Sequence, residues 1–205
     1  DVSNPAAPVH AGKIVHGDGG ALLEGAAQVV VSGNYAYVAS ETSNALEIVD
    51  VSNPAVPVHA GSITDGQGGA VIFSPRSIDV KGNYAYIGSG FNTKNALEIV
   101  DISSPANPVH AATLPDGQDG AKINYPQGLY VSGNFVYIAN AGNILSVVDV
   151  SDPHSPKGVA FLSNGDGGAL LKFPTSVYVA GNYAYVASRD SNALEIVDLV
   201  FLRRG

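Results

Sequence analysis

An all-β protein made of four copies of one antiparallel unit is the fold class this sequence predicts, on three observations. The string VSGNYAYVAS (Val31 to Ser40) returns as VKGNYAYIGS, VSGNFVYIAN and VAGNYAYVAS, with its Asn at 34, 83, 134 and 182. The string NALEIVDVSNP (Asn44 to Pro54) returns as NALEIVDISSP, NILSVVDVSDP and NALEIVDL, with its Asp at 50, 101, 149 and 198. Within each unit apolar residues alternate with period two, and no stretch carries a helical period. Asp1 opens the chain in the phase of the repeated Asp. A single domain 1–205 therefore divides into units of about 1–49, 50–100, 101–148 and 149–197, with an extension at 198–205.

The second unit shows the elements in order. Arg76 to Lys81 alternates Ile78 and Val80 with Ser77 and Asp79, which predicts a strand. Gly82-Asn83 supplies a tight turn, and Tyr84 to Ser89 returns as the second strand of a hairpin. Ala96 to Ile102 is a β-branched third strand, Ser103 to Pro108 a proline turn, and Val109 to Leu114 a fourth strand. Asp50, Asp101 and Asp149 stand where an Asx-type bond braces that turn. Apolar residues on both faces suit sheets sandwiched between neighbours.

A four-stranded antiparallel unit repeated every 40 to 50 residues is the pattern of a β-propeller blade. The last unit supplies three strands, and the chain opens with a fourth, Pro8 to Ile14. The expectation is four blades of four strands, the ring closed by pairing Pro8 to Ile14 with Ala193 to Leu199, which removes exposed edges. The rival reading is a fragment of a longer array or an open β-solenoid, though a unit of about 49 residues with three turns is long for a solenoid coil. The chain opens at Asp1 with no basic segment leading into an apolar one, so a processed protein and a fragment are both readings of that start.

The core of the second string resembles a known family. ALEIVDVSNPAVPV, ALEIVDISSPANPV and ILSVVDVSDPHSPK are similar to the LVIVD repeat of bacterial and archaeal surface proteins. The resemblance runs through all four units. It implies the propeller fold and an extracellular or cell-surface setting, and it implies no reaction. Glu47, Glu98 and Glu195 within the core strand depart from the family pattern, as does a count of four units.

Composition excludes several functions. Ten Lys plus Arg against eighteen Asp plus Glu give a formal charge of −8, which offers phosphate backbones and anionic lipid no long-range attraction. Neither nucleic acid nor membrane insertion is expected, and no apolar run approaches the roughly 18 residues that span a bilayer. The absence of Cys removes disulfides, thiolate zinc sites and cysteine nucleophiles. No Gly-x-Ser-x-Gly, His-Glu-x-x-His or Walker-type motif occurs, so no enzyme is expected and no cofactor is required.

Candidate site residues fall in three sets. The links between units read HGDGGA, TDGQGGA, PDGQDGA and NGDGGA, whose Asp18, Asp65, Asp116, Asp119 and Asp166 are hard oxygen ligands suited to Ca²⁺. The other reading of these links is that Asp-Gly and Gly-Gly make turns needing positive φ. The loops between second and third strands carry Glu41, Asn44, Asn92, Asn95, Asn140, Asn143, Asp190 and Asn192, short polar groups able to bond sugar hydroxyls. A glycan site wants an exposed aromatic platform, and the repeated Tyr35, Tyr84 and Tyr183 fall inside strands. The terminal strands supply a self-association set: Val9, His10, Ile14, Leu194, Ile196 and Phe201, the last on an apolar extension that turns basic at Arg203. His10, His59 and His110 recur in PVHA on the outermost strand, read as a rim contact or as having no role, and the Glu residues as a bond between blades. Departures from symmetry are expected in the third unit, at Gly142, Ser146 and the turn Asp152 to Pro156.

The function expected is a non-catalytic extracellular structural or adhesive module that associates with copies of itself or other surface proteins, into an assembly or filament. The alternative is a Ca²⁺-assisted or carbohydrate-binding propeller on a cell surface.

Overall fold

A computed structural model describes residues 4–91 and 93–202, apart from the side chains of Thr93, Phe201 and Leu202. Four sheets follow one another along the chain. The first comprises β1 (Ala26–Ser32), β2 (Tyr35–Ser40), β3 (Ala45–Asp50) and β4 (Val58–Thr64). The second comprises β5 (Ser77–Lys81), β6 (Tyr84–Phe91), β7 (Thr93–Asp101) and β8 (Val109–Pro115). The third holds β9 (Pro126–Ser132), β10 (Phe135–Asn140), β11 (Ile144–Asp149) and β12 (Lys157–Ser163), and the fourth only β13 (Pro174–Ala180), β14 (Tyr183–Ser188) and β15 (Ala193–Asp198). Strands within a sheet pair antiparallel in chain order, as blades of a β-propeller do.

Local chemistry sets each unit. Gly33, Gly82, Gly133 and Gly181 all take φ near 58–59°, the left-handed conformation that the first hairpin requires. A bulge recurs in the third-to-fourth pairing, at Ile48/Val49, Ile99/Val100 and Val147/Val148. The Asx braces are present: Asp50, Asp101 and Asp149 each accept the N–H two residues on, at 2.8 Å. Asp198 does the same for Val200 at 2.9 Å. That brace turns the chain out of β15, so Phe201 lies in a single helical turn, Leu199–Leu202, and not in an extension of the strand.

The sheets stack face to face through three apolar clusters, one at each successive joint. Ile48, Ile63, Ile78 and Ile87 fill the first, Leu97, Ile99, Ile123 and Ile138 the second, and Leu145, Val147, Leu171 and Val186 the third. Innermost strands are tied directly: Gln28 Oε1 accepts from Ile78 N at 3.1 Å, and Asp79 Oδ2 from Val131 N at 2.8 Å.

The expected closure of the ring is not present. Residues 8–14, with Val9, His10 and Ile14, form no strand, and among the described residues β15 pairs only with β14. The segment instead packs on sheet one as β4 packs on sheet two. A Cβ at Gly12 would fall 2.2 Å from Pro54 O, and one at Gly61 would fall 2.4 Å from Pro105 O. Side-chain packing of an outermost strand is thus in place, while the ladder is missing because no third strand of a preceding sheet lies beside it.

Candidate functional site

The Asp-Gly links each fold around their own side chains. Asp65 Oδ1 accepts from Ile72 N at 3.0 Å and Asp116 Oδ1 from Ile123 N at 2.8 Å; His16 Nδ1 and Asn164 Oδ1 take the same role toward Leu23 N and Leu171 N. Asp18 and Asp166 occupy a different position, accepting from Val15 N and Ser163 N at 3.1 and 3.0 Å. Asp119 takes a positive φ of 43°, and its carbonyl accepts from Gly158 N. Four of the five carboxylates therefore brace separate turns, from two different positions of the link, and Asp119 contributes its backbone carbonyl. Among the described residues, no three His, Cys, Asp or Glu side chains come together as a metal-binding group.

The residues expected in the second-to-third-strand loops are engaged as joints, Asn95 from within β7 and not from a loop, because β6 and β7 run on almost to their turn. Asn44 Oδ1 accepts from Ser74 N at 2.8 Å, Asn95 Oδ1 from Tyr125 N at 3.1 Å, and Asn143 Oδ1 from Phe173 N at 2.9 Å, each reaching the following sheet. Glu41 binds Arg76 and Ser74 Oγ of the second sheet, and Asp190 pairs with Arg189 Nε at 2.8 Å. Asn140 is not a loop residue: it ends β10 fully buried, donating to Ile138 O and Ser146 Oγ at 3.0 Å. Asn192 is exposed on the last sheet, and Asn92 lies outside the described residues.

The repeated Glu and His belong together, within one sheet and not between two. Glu47 Oε1 lies 2.6 Å from His59 Nδ1, and Glu98 Oε1 lies 2.7 Å from His110 Nδ1. The second oxygen of each accepts a backbone N–H from the link entering that sheet, Leu22 at 2.9 Å and Val71 at 3.1 Å. Burial pushes the Glu98 carboxyl above the usual range, outweighing the opposing bonds from Thr113, His110 and Val71. The signal was in the sequence: the third unit replaces both partners at once, Ser146 for Glu and Gly158 for His.

A second feature escaped the sequence reading. A cavity of about 430 Å³ opens at the hub, lined by the innermost strands. Its wall carries Ala27, Arg76, Gln127 and Thr175, four different residues at one repeat position. Symmetry therefore breaks on the first strand of every unit and not only in the third unit. Arg76 stands 5.4 Å from the Tyr125 ring centre and is held by Glu41.

The two ends of the stack are apolar. On sheet four, Leu194 is 67% and Ile196 55% exposed, with Tyr178 and Tyr183 beside them; on sheet one, Val29 and Val31 are exposed. Their repeat equivalents at internal joints, Leu145 and Val147 on one side and Val177 and Val179 on the other, are buried. A groove of about 640 Å³ separates residues 12–16 from the face of sheet one. Among the described residues, no helix is long and apolar enough to cross a membrane.

Solved structures share this architecture at low identity. The hydrazine synthase of Kuenenia stuttgartiensis matches with a TM-score of 0.67 at 15% identity, over 93% of this chain and 50% of that one. A putative 6-phosphogluconolactonase from Bacteroides uniformis matches with 0.66 at 14%, over 84% of this chain and 50% of that one. The computationally designed Ika4 protein matches with 0.59 at 14%, over 86% of this chain and 92% of that one. The chain thus spans half the length of the first two. Identities this low carry the fold and nothing of the activity. No curated protein matches the sequence. The LVIVD repeat model matches residues 25–65, 74–113, 125–160 and 175–199, one match on each sheet, and the chain belongs to the LVIVD repeat family.

Proposed function

We propose that this chain is a non-catalytic structural module, working outside the cell, that acts through protein–protein contacts at the two ends of its stack of sheets and associates with copies of itself. The observation that carries this reading is the pair of exposed apolar end faces, whose equivalents are buried or partly buried at all three internal joints. Contiguous exposed apolar patches mark interaction sites. Two different faces on one molecule make a heterologous contact, which closes into a ring or runs on as a filament. Light scattering behind size exclusion, with electron microscopy of the same fractions, tests it. Oligomers or filaments are expected, and a monomer near 20.9 kDa at tens of micromolar overturns the reading. The same run with chelator tests a Ca²⁺ contribution, which the separate bracing of the Asp residues does not favour.

One observation favours a second reading. The hub cavity is polar and is the place where the repeats diverge, as expected of a site for one small ligand rich in hydroxyls, such as a sugar. Titration calorimetry against a panel of mono- and oligosaccharides tests it, with Arg76→Ala as the variant expected to lose binding.

A further inference from the structure

We infer that the last sheet takes its fourth strand from a second copy of this chain, residues 9–15 of one copy pairing with β15 of another. This deepens the self-association reading and rests on it, but names the strand, the register and the anchoring side chain. The fourth sheet carries an empty seat for one imidazole. In sheets one and two the outermost-strand histidine packs over a Gly-Gly step of the incoming link: His59 over Gly19 and Gly20, His110 over Gly68 and Gly69. Each histidine also binds the third-strand glutamate. Sheet four has the same parts. Glu195 Oε2 accepts from Leu170 N at 3.0 Å, as Glu47 does from Leu22, and Gly167 and Gly168 occupy the step with no described atom within 4 Å of a Cβ at either.

The matching half stands at the other end of the molecule. Residues 8–14 read PVHAGKI where residues 57–63, leading into and through β4, read PVHAGSI, and the segment already packs on sheet one through Gly12 as β4 does on sheet two through Gly61. His10 is exposed there, with no glutamate-bearing strand beside it. Transferring the β3–β4 register sets Leu194 opposite Ile14, Glu195 opposite Lys13, and Val197 opposite His10. Lys13, in place of Ser62, puts a cation across from Glu195, so charge as well as shape selects the pairing. The docked strand would bring the rest of its chain with it. Val29 and Val31 then meet Leu194 and Ile196, repeating the internal joints, and Asn192 reaches Gly25 N as Asn44 reaches Ser74 N. Main-chain bonds supply affinity and the imidazole seat supplies register.

Cysteine pairing tests the register, because the chain has no Cys of its own. Ile14→Cys and Leu194→Cys are made as separate chains of different mass, mixed, and oxidised mildly. A mixed disulfide is expected, with about tenfold less for Ile14→Cys mixed with Glu195→Cys, since a one-residue slip turns the side chain to the other face. Lys13→Glu or Glu195→Lys should each weaken association at least about tenfold, and the two chains mixed should regain most of it. Oligomers that form without the mixed disulfide overturn the strand pairing and leave self-association standing; a monomer under all conditions overturns both. A chain carrying both cysteines that cross-links only within itself shows the seat filled by its own segment and overturns the second copy as occupant.

Discussion

Three strands of this molecule share the hexapeptide ALEIVD, and they live in opposite surroundings. In β3 and at the end of β7 it lies between two strands of its own sheet with the next sheet packed over its leucine and isoleucine, and Leu46, Ile48, Leu97 and Ile99 are fully buried. In β15 the same residues form an edge with one face open, and Leu194 and Ile196 stand in solvent. Burial here is a property of the neighbours and not of the segment. A sequence that specifies a central strand has been placed at an edge, which is a liability in a monomer and a joint in an assembly.

The largest effect that sharpens this contrast is cavity formation. Leu46→Ala should destabilise the chain by about 3 kcal/mol, read by urea denaturation, while Leu194→Ala should change monomer stability by less than about 0.5 kcal/mol and reduce association instead. Equal losses at both positions would show that β15 is as enclosed as β3. Next is the polar version of the same pair. Glu98→Ala leaves Val71 N–H, the Thr113 hydroxyl and His110 without their acceptor and should cost about 2–3 kcal/mol, whereas Glu195→Ala orphans only Leu170 N–H and should cost under about 1 kcal/mol.

A glycine exchange divides the two fourth-strand positions. Gly61→Ala drives a methyl against Pro105 O and should lower stability by about 1–3 kcal/mol. Gly12→Ala meets Pro54 O in the same way, yet it should release only the terminal segment, leaving the melting transition in place and lowering the oligomer fraction. The smallest effect is on pH. Burial raises the Glu98 pKa above its unfolded value, so the folded chain holds this proton where the unfolded chain has lost it. That contribution is full below the unfolded pKa, declines as pH rises through the window up to the raised value, and is flat above both. Glu98→Gln should remove that decline from a stability profile taken between about pH 4 and pH 8; an unchanged profile would mean that other groups produce it.

Much of the fold could be read from the chain because its determinants are local. Period-two alternation fixed the strands, Gly-Asn fixed the hairpins, and Asp50, Asp101 and Asp149 brace the turns where their spacing placed them. The site was less legible. Asp18 and Asp65 look alike in sequence but brace different amides, and the Glu–His pairs were visible only as two separate lists until the bulged β3–β4 register brought them together. Asn140 looked like a loop group and is a buried strand end, at the ladder position of Ser40 and Ser188, because the third loop is one residue shorter and begins one residue later than it looks.

The sequence by itself determined the repeat, visible as recurring strings, and the antiparallel units and turn chemistry, which follow from near neighbours in the chain and from backbone stereochemistry. Tertiary structure alone decided which copies of ALEIVD are core, that Pro8 to Ile14 packs on sheet one without forming a strand, and that no described residue fills the imidazole seat beside Glu195. Those outcomes depend on which sheet lies next to which. Identical segments carry no information about that, and only the packing of one whole unit against the next supplies it.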